Sequence, residues 1–181
     1  MTTVVTIGSN RYVVDVGFGS EESLIPMPMK PFTTPISLNR TAKLEHRPLH
    51  LNSDGAPNQN LWVFSVAQGS GDFVEQYALS ETELFPRDYQ MMNYFTSTSP
   101  DSFFATALMA VRVISEGDEV KGLYSLFRDE VKHRNEKGEK ILVEKLETEE
   151  QRVNALEKYF AIVLNEEDKN AIIGTKMALP Q

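Results

Sequence analysis

The residues with the clearest chemical character close an apolar run, Tyr12-Val13-Val14-Asp15-Val16-Gly17-Phe18-Gly19. A carboxylate placed there costs free energy unless something satisfies it. Two readings account for Asp15. It accepts backbone N–H groups from its own Gly17–Gly19 turn, as Asp often does, or it accepts the N–H of an imidazole and so fixes the tautomer of a base that activates a nucleophile. A second group of candidates is the hydroxyl cluster Ser97, Thr98, Ser99 and Ser102. A hydroxyl nucleophile needs a base within hydrogen-bond reach, and no local signature links His46, His50 or His133 to that cluster. His46 and His50 are four apart, on one face if the segment is a strand, yet no third ligand is evident. They read as satisfied surface histidines, and no metal is assigned. The chain has no cysteine, which removes a thiolate nucleophile, a disulfide framework and a Cys-ligated metal from these residues. A carboxylate alone orients nothing, so Asp15 is not an active site by itself.

Composition narrows the partners. The 181 residues are 41% hydrophobic and 24% charged, which is enough apolar material for a folded body of one or two domains. A net charge of −8 repels phosphate backbones and anionic lipid, so neither nucleic acid nor membrane is expected as a partner. No apolar run reaches the roughly 20 residues that cross a bilayer, and the N-terminus lacks the pattern of a secretion signal, so cytoplasm is the expected location. The chain enters a β-branched run at Thr2 with no capping residues, which reads as a truncated start.

The elements that must position these residues follow from pattern. Thr2–Ile7 and Arg11–Val16 flank Gly8-Ser9-Asn10 and predict a β-hairpin. Pro26, Pro28, Pro31 and Pro35 make the next stretch a long extended connection, without helix or central strand. Met27, Met29 and Phe32 within it read as structural. Ala42–Leu51, Leu61–Ala67 and Phe73–Leu79 read as short strands, with Trp62, Phe64 and Val66 on a core face. A short helix is predicted from Pro86 to Phe95, followed by a polar run, Thr96 to Ser102. The second half of Phe103–Ile114, Glu119–Phe127 and Lys140–Leu146 read as strands, the last two joined by a charged, solvated segment from Arg128 to Glu139. Thr148-Glu149-Glu150-Gln151 is a capping box opening a helix that carries Val153, Leu156 and Phe160. Asn165–Ile173 reads as a short helix ahead of a frayed Gly174–Gln181 tail.

Two of these segments are distinctive. Tyr12–Gly19 resembles the Asp-bearing motif of the arylamine N-acetyltransferases, and Asn93-Tyr94-Phe95-Thr96-Ser97-Thr98-Ser99-Pro100-Asp101-Ser102-Phe103-Phe104 resembles that family's Asn-x-x-x-Ser-Thr-x-Pro-x-Ser-x-Phe stretch, in the same order and separation. The Glu-rich helix ending Phe160-Ala161-Ile162 resembles the family's C-terminal helix. The resemblance implies an α+β fold: an antiparallel β-barrel, residues 1–98, followed by an α/β lid, residues 99–181, without the family's N-terminal helical domain. It implies acetyl transfer from acetyl-CoA to small arylamine or hydrazine acceptors through a Cys–His–Asp triad, and a place in xenobiotic metabolism. Asp15 matches the triad acid; the cysteine belongs to the helical domain, and the histidine falls immediately before Met1. Phe18 matches a position lining the arylamine pocket, although a Phe in a Gly-rich turn also reads as a core plug. Ser97, Thr98, Ser99, Ser102 and Phe104 are the candidate coenzyme contacts. Ser99-Pro100 also reads independently as a helix or turn start whose N–H groups suit a phosphate. Two functions therefore stand: a family acetyltransferase whose recorded chain is truncated and inactive alone, or a non-catalytic coenzyme A or aromatic binding or interaction module. An inert β-rich fragment is the bland third reading. A barrel face left uncovered would invite self-association.

Overall fold

The computed structural model describes residues 2–21, 23–52 and 59–180; the starting Met1 and the final Gln181 lie outside them. Two antiparallel strands, β1 (Thr3–Ile7) and β2 (Asn10–Val14), form the predicted hairpin with Ile7 opposite Asn10. Its two-residue turn needs left-handed backbone at Gly8, φ +60°, which glycine adopts without a Cβ penalty. The proline-rich connection contributes β3 (Met27–Pro28), at the edge beside β2, and β4 (Phe32–Ile36), at the edge of a second sheet. Proline cannot donate to an interior ladder, so edge positions are what remain open to these segments. That second sheet is completed by β5 (Arg40–Arg47), β6 (Leu61–Gln68) and β7 (Val74–Leu79), ordered β4-β5-β6-β7.

The two sheets share a core. Val13 and Met27 from the first pack with Ala42, Leu44, Trp62, Phe64 and Val66 from the second. Each large side chain so buried contributes about 1.5–3 kcal/mol. Trp62 carries one polar atom into this core, and its indole N–H donates to Glu81 at 2.8 Å. Arg11 reaches the same carboxylate at 2.7 Å, so the ring is buried without an unsatisfied donor.

The next element, α1 (Pro86–Thr98), opens where predicted but runs on through Thr98 instead of stopping at Phe95. The polar residues expected to break it do not, because Thr96, Ser97 and Thr98 each donate a hydroxyl proton to the carbonyl four residues back. A four-stranded antiparallel sheet follows, with β8 (Met109–Glu116), β9 (Glu119–Phe127), β10 (Glu130–Asn135) and β11 (Lys140–Lys145) ordered β11-β10-β9-β8. The charged segment expected to be a solvated connection is thus an interior strand. Its buried Val131 and Arg134 share the strand with charges paired on the neighbouring positions, as in Lys132–Glu130 at 2.6 Å.

One face of this sheet is covered by α2 (Glu149–Phe160), whose N-cap Thr148 accepts from the Gln151 N–H at 3.3 Å. Ala155, Leu156, Tyr159 and Phe160 pack on Leu126, Val131 and Leu146. A short α3 (Glu166–Ala171) is capped by Asn165. The tail, expected to fray, is tied down instead: Glu149 N–H donates to Pro180 O at 2.9 Å, and Leu179 N–H to Glu149 Oε1 at 2.7 Å. Its deepest anchor is Arg152, 1% exposed, paired through both Nε and Nη2 with Glu149 and donating to Met177 O at 3.0 Å. A guanidinium has five donors, and a single carboxylate leaves some for the tail backbone.

The fold is α+β with antiparallel strands, as expected, and the strands of the described residues stand in three open ladders. Two compact units are present. The first runs to Thr82 and takes in Glu119–Lys121 and Glu136–Gly138; the second holds the remainder, α1 included.

Two outcomes follow from these polar anchors. Arg152→Ala leaves Glu149 without its partner in a dry site, and urea unfolding should show a loss of about 3–5 kcal/mol; a loss below about 1 kcal/mol would contradict the anchoring role. Glu81 is held below the usual carboxylate range, first by the Trp62 hydrogen bond and then by Arg11. A depressed native pKa gives stability that is complete above the unfolded value and fades as pH falls through the native one. Glu81→Gln should therefore lose less stability than the parent on acidification below about pH 4.5, read as a shallower fall of Tm with pH.

Candidate functional site

The hairpin register builds the first candidate site. Thr3 pairs with Val14, so the next residues outward, Thr2 and Asp15, meet at the end of the ladder. Val13 points into the core while Val16, two residues past Val14, is 88% exposed. Asp15 is half-buried between them. Its Oδ1 accepts the Gly17 N–H at 3.0 Å, and its Oδ2 receives, among the described residues, only the Thr2 hydroxyl at 3.4 Å. The first contact is the local turn bond that one sequence reading called for. The second is longer than an ordinary O–H···O bond, so Oδ2 keeps acceptor capacity.

Phe18, in the same turn, is 40% exposed and meets Tyr77 edge to face at 4.9 Å. Tyr77 in turn lies 5.1 Å from Phe64 of the core. The aromatic is therefore neither free nor a buried plug: it ends a ladder of rings running from the core to the surface beside Asp15. Sequence reading missed Tyr77 and Thr2 as members of this group. Tyr77 sits in an alternating strand, and only the packing shows that it bridges the two aromatics.

The second candidate region lies in the other unit. Ser97 Oγ donates to Asn93 O at 2.7 Å, Thr98 Oγ1 to Tyr94 O, and the buried Ser102 Oγ to Thr96 O at 2.6 Å. Their protons are spent on helix carbonyls, which leaves oxygen lone pairs as the outward chemistry. The helix start expected at Ser99-Pro100 is instead the end of α1. Ser99 N–H bonds Phe95 O, Ser102 N–H bonds Ser99 O, and Asp101 N–H bonds Ser99 Oγ at 3.3 Å. These three N–H groups are thereby taken, and Ser99 caps a turn start there. Phe104, half exposed, stacks on the equally exposed Phe103 at 4.2 Å between centroids.

The histidines stand apart from both regions' chemistry. His46 stacks on Trp62, its partner across the ladder, at 4.8 Å, and His133 leans on Tyr124 at 4.9 Å. His50 lies beyond the end of β5. Asp15 thus offers an oriented acceptor for an N–H donor, with an aromatic face next to it, and no nucleophile of its own turn.

Comparison with known proteins bears on what that acceptor serves. The profile of the N-acetyltransferase family matches residues 1–169. N-malonyltransferase FDB2 of Fusarium pseudograminearum is 33% identical over 182 residues, covering 95% of this chain and 53% of the relative. The chain spans about half the length of the curated relatives it matches. Among solved structures, the arylamine N-acetyltransferase from Mycobacterium abscessus superposes with a TM-score of 0.75 at 22% identity, over 93% of this chain and 56% of that one. That of Mycobacterium marinum in complex with CoA gives 0.69 at 24% identity, over 97% and 56%.

The turn role and the charge role of Asp15 separate by substitution. Asp15→Asn keeps an oxygen for the Gly17 N–H and should leave urea stability within about 0.5 kcal/mol, whereas Asp15→Ala should cost about 1 kcal/mol. Equal stability in all three proteins would show that the Gly17 bond contributes nothing.

Proposed function

The chain belongs to the arylamine N-acetyltransferase family, and on that premise we propose that residues 1–181 supply the acid arm, acceptor face and coenzyme face of an N-acyltransferase whose cysteine and histidine come from chain outside this stretch. The observation that carries the reading is Asp15: a carboxylate fixed by one backbone N–H, with a second oxygen still able to accept, inside the segment the family profile matches. An imidazole N–H bonded to that oxygen would be held in one tautomer, and the imidazolium formed when it takes a thiol proton would be stabilised while Asp15 stays ionised.

The reaction then balances in two steps. A cysteine thiolate attacks the carbonyl carbon of an acyl-CoA thioester, the bond to the coenzyme sulfur breaks, and coenzyme A leaves as a thiol with the proton the imidazolium had taken from the cysteine. The nitrogen of an arylamine or hydrazine next attacks the acyl-cysteine; an amide forms, and the proton lost by nitrogen returns to the cysteine sulfur through the imidazole. Phe18 and Tyr77 offer a ring face for an aromatic acceptor. Ser97, Thr98, Ser99, Ser102 and Phe104 remain the proposed coenzyme contacts. The stacked Phe103–Phe104 pair suits a planar base, and recognition at Ser99 and Ser102 rests on side-chain oxygens, since their own N–H groups are engaged.

Acetyl is the acyl group of the family name; malonyl is the second reading, favoured by the 33% identity to an N-malonyltransferase. Residues 1–181 alone have no cysteine and should bind without turnover. The exposed Ile7 and Val16 of the first unit, together with an α1 that has no buried residue, make self-association of the isolated chain part of the same proposal. No helix of the described residues is long and apolar enough to cross a membrane; a cytoplasmic location is proposed with the rest.

Intact-mass spectrometry after incubation with acetyl-CoA or malonyl-CoA tests the reading on two proteins, the 181-residue chain and the complete product of its gene. The longer protein should gain one acyl adduct, from one thioester in preference to the other, and Asp15→Asn in it should slow acylation about 10⁴-fold. An adduct on the 181-residue chain, or full-rate acylation of the Asn variant, would overturn it.

A further inference from the structure

The second unit contains a cavity of about 410 Å³ between α2, α3, the start of β8 and the C-terminal tail. It is separate from the coenzyme candidates of α1 and from the Asp15 turn, none of whose residues line it. Leu108, Leu156, Ile162, Leu164 and Ile172 give it an apolar wall. Four ionisable side chains also border it, and each already has a partner. Glu149 and Arg152 neutralise one another, with further bonds to Leu179 N–H and Met177 O. Asp168 accepts the Asn165 N–H at 3.2 Å, and Lys169 pairs with Glu166 at 2.7 Å. The Thr175 hydroxyl donates to Ile172 O at 2.7 Å and accepts from Met177 N–H at 3.3 Å.

Glu149, Arg152 and Lys169 already hold counter-charges, and Asp168 is an exposed side chain; a charged ligand laid on the apolar wall would lose hydration, whereas an uncharged apolar one loses nothing. Size sets the second limit. An apolar cavity of about 150 Å³ suffices for benzene, and ligand sites generally run about 300–1,000 Å³. We propose that this cavity is a binding site for a neutral apolar small molecule of about two fused rings in size, distinct from the acyl-transfer site. The tail closes one side of it through Thr175 and Met177 and is itself held by the Glu149–Arg152 pair, so a ligand that fills the space packs against the tail and damps its opening.

The proposal does not depend on acyl transfer and is read without it. Naphthalene is titrated into the 181-residue chain and followed by the methyl NMR signals of its Leu, Ile and Val residues. The expected result is saturable shifts at Leu156, Leu164 and Ile172, with slower hydrogen exchange at the Leu179 amide. Ile172→Trp, which puts an indole into the cavity from a half-buried position, should weaken binding at least about tenfold. Ile173→Trp, at the exposed neighbour that does not line the cavity, should leave it unchanged. Absence of saturable shifts at the three lining residues, shifts confined to the exposed aromatic and Met residues of α1 and Phe103–Phe104, or undiminished binding by a folded Ile172→Trp protein would each overturn the assignment. The parent protein's shift map decides the matter even if the Trp variant fails to fold.

Discussion

The register of the β1–β2 ladder is the constraint on which the candidate site depends. Side chains alternate along a strand, so moving the pairing by one residue would carry Val13 out of the core and turn Asp15 toward the opposite face. Two features hold the register where it is. The two-residue turn at Gly8 sets it from one end, and burial of Val13 against Met27 and Leu44 sets it from within. With the pairing so fixed, Thr2 and Asp15 come together past the last paired residues, and the Gly17 N–H falls to the carboxylate. The placement of the acid is therefore a consequence of how an apolar valine is buried.

Each unit satisfies a buried polar side chain, the Trp62 indole in the first and Arg152 in the second, through a carboxylate. In the first, Glu81 joins the Trp62 indole at the margin of the core to Arg11 of β2. In the second, Arg152 joins α2 to Glu149, to Arg128 O and to the tail at Met177. Burying such groups costs free energy that the same volume of hydrocarbon would not. In return, each carries several directional bonds to distant parts of the chain, so each sets a position that apolar packing alone leaves open. The C-terminal tail illustrates this: Leu179 packs on the core, and bonds from Arg152 to Met177 O and from Leu179 N–H to Glu149 fix its course.

The polar run at residues 96 to 102 shows the same competition at a smaller scale. Ser and Thr can end a helix by bonding nearby backbone, or extend it by donating back to the preceding turn. Here three successive hydroxyls donate back, and the helix gains a further turn. The same bonds consume the donors that an anion would have used, which shifts any recognition at this surface toward lone pairs and toward the Phe103–Phe104 faces.

Much of this was legible in local pattern. The hairpin, the edge placement of the prolines, the core face of Trp62, Phe64 and Val66, the Thr148 cap and the chemical oddity of an acid at a strand end all follow from residue type and spacing, because they are set by neighbours a few positions away. The absence of cysteine likewise decided, from composition alone, that residues 1–181 hold no thiol. Other features were not legible. Charged residues from Arg128 to Glu139 look solvated one at a time, and only pairing with β9 and β11 makes an interior strand of them. Arg152 looks like one more helix charge until the tail and Glu149 close over it. Tyr77 becomes a link between Phe18 and the core only when β7 lies beside β6. In each case the deciding contact exists only in the folded chain, and whether a polar group is solvated or buried is a property of what that fold brings against it.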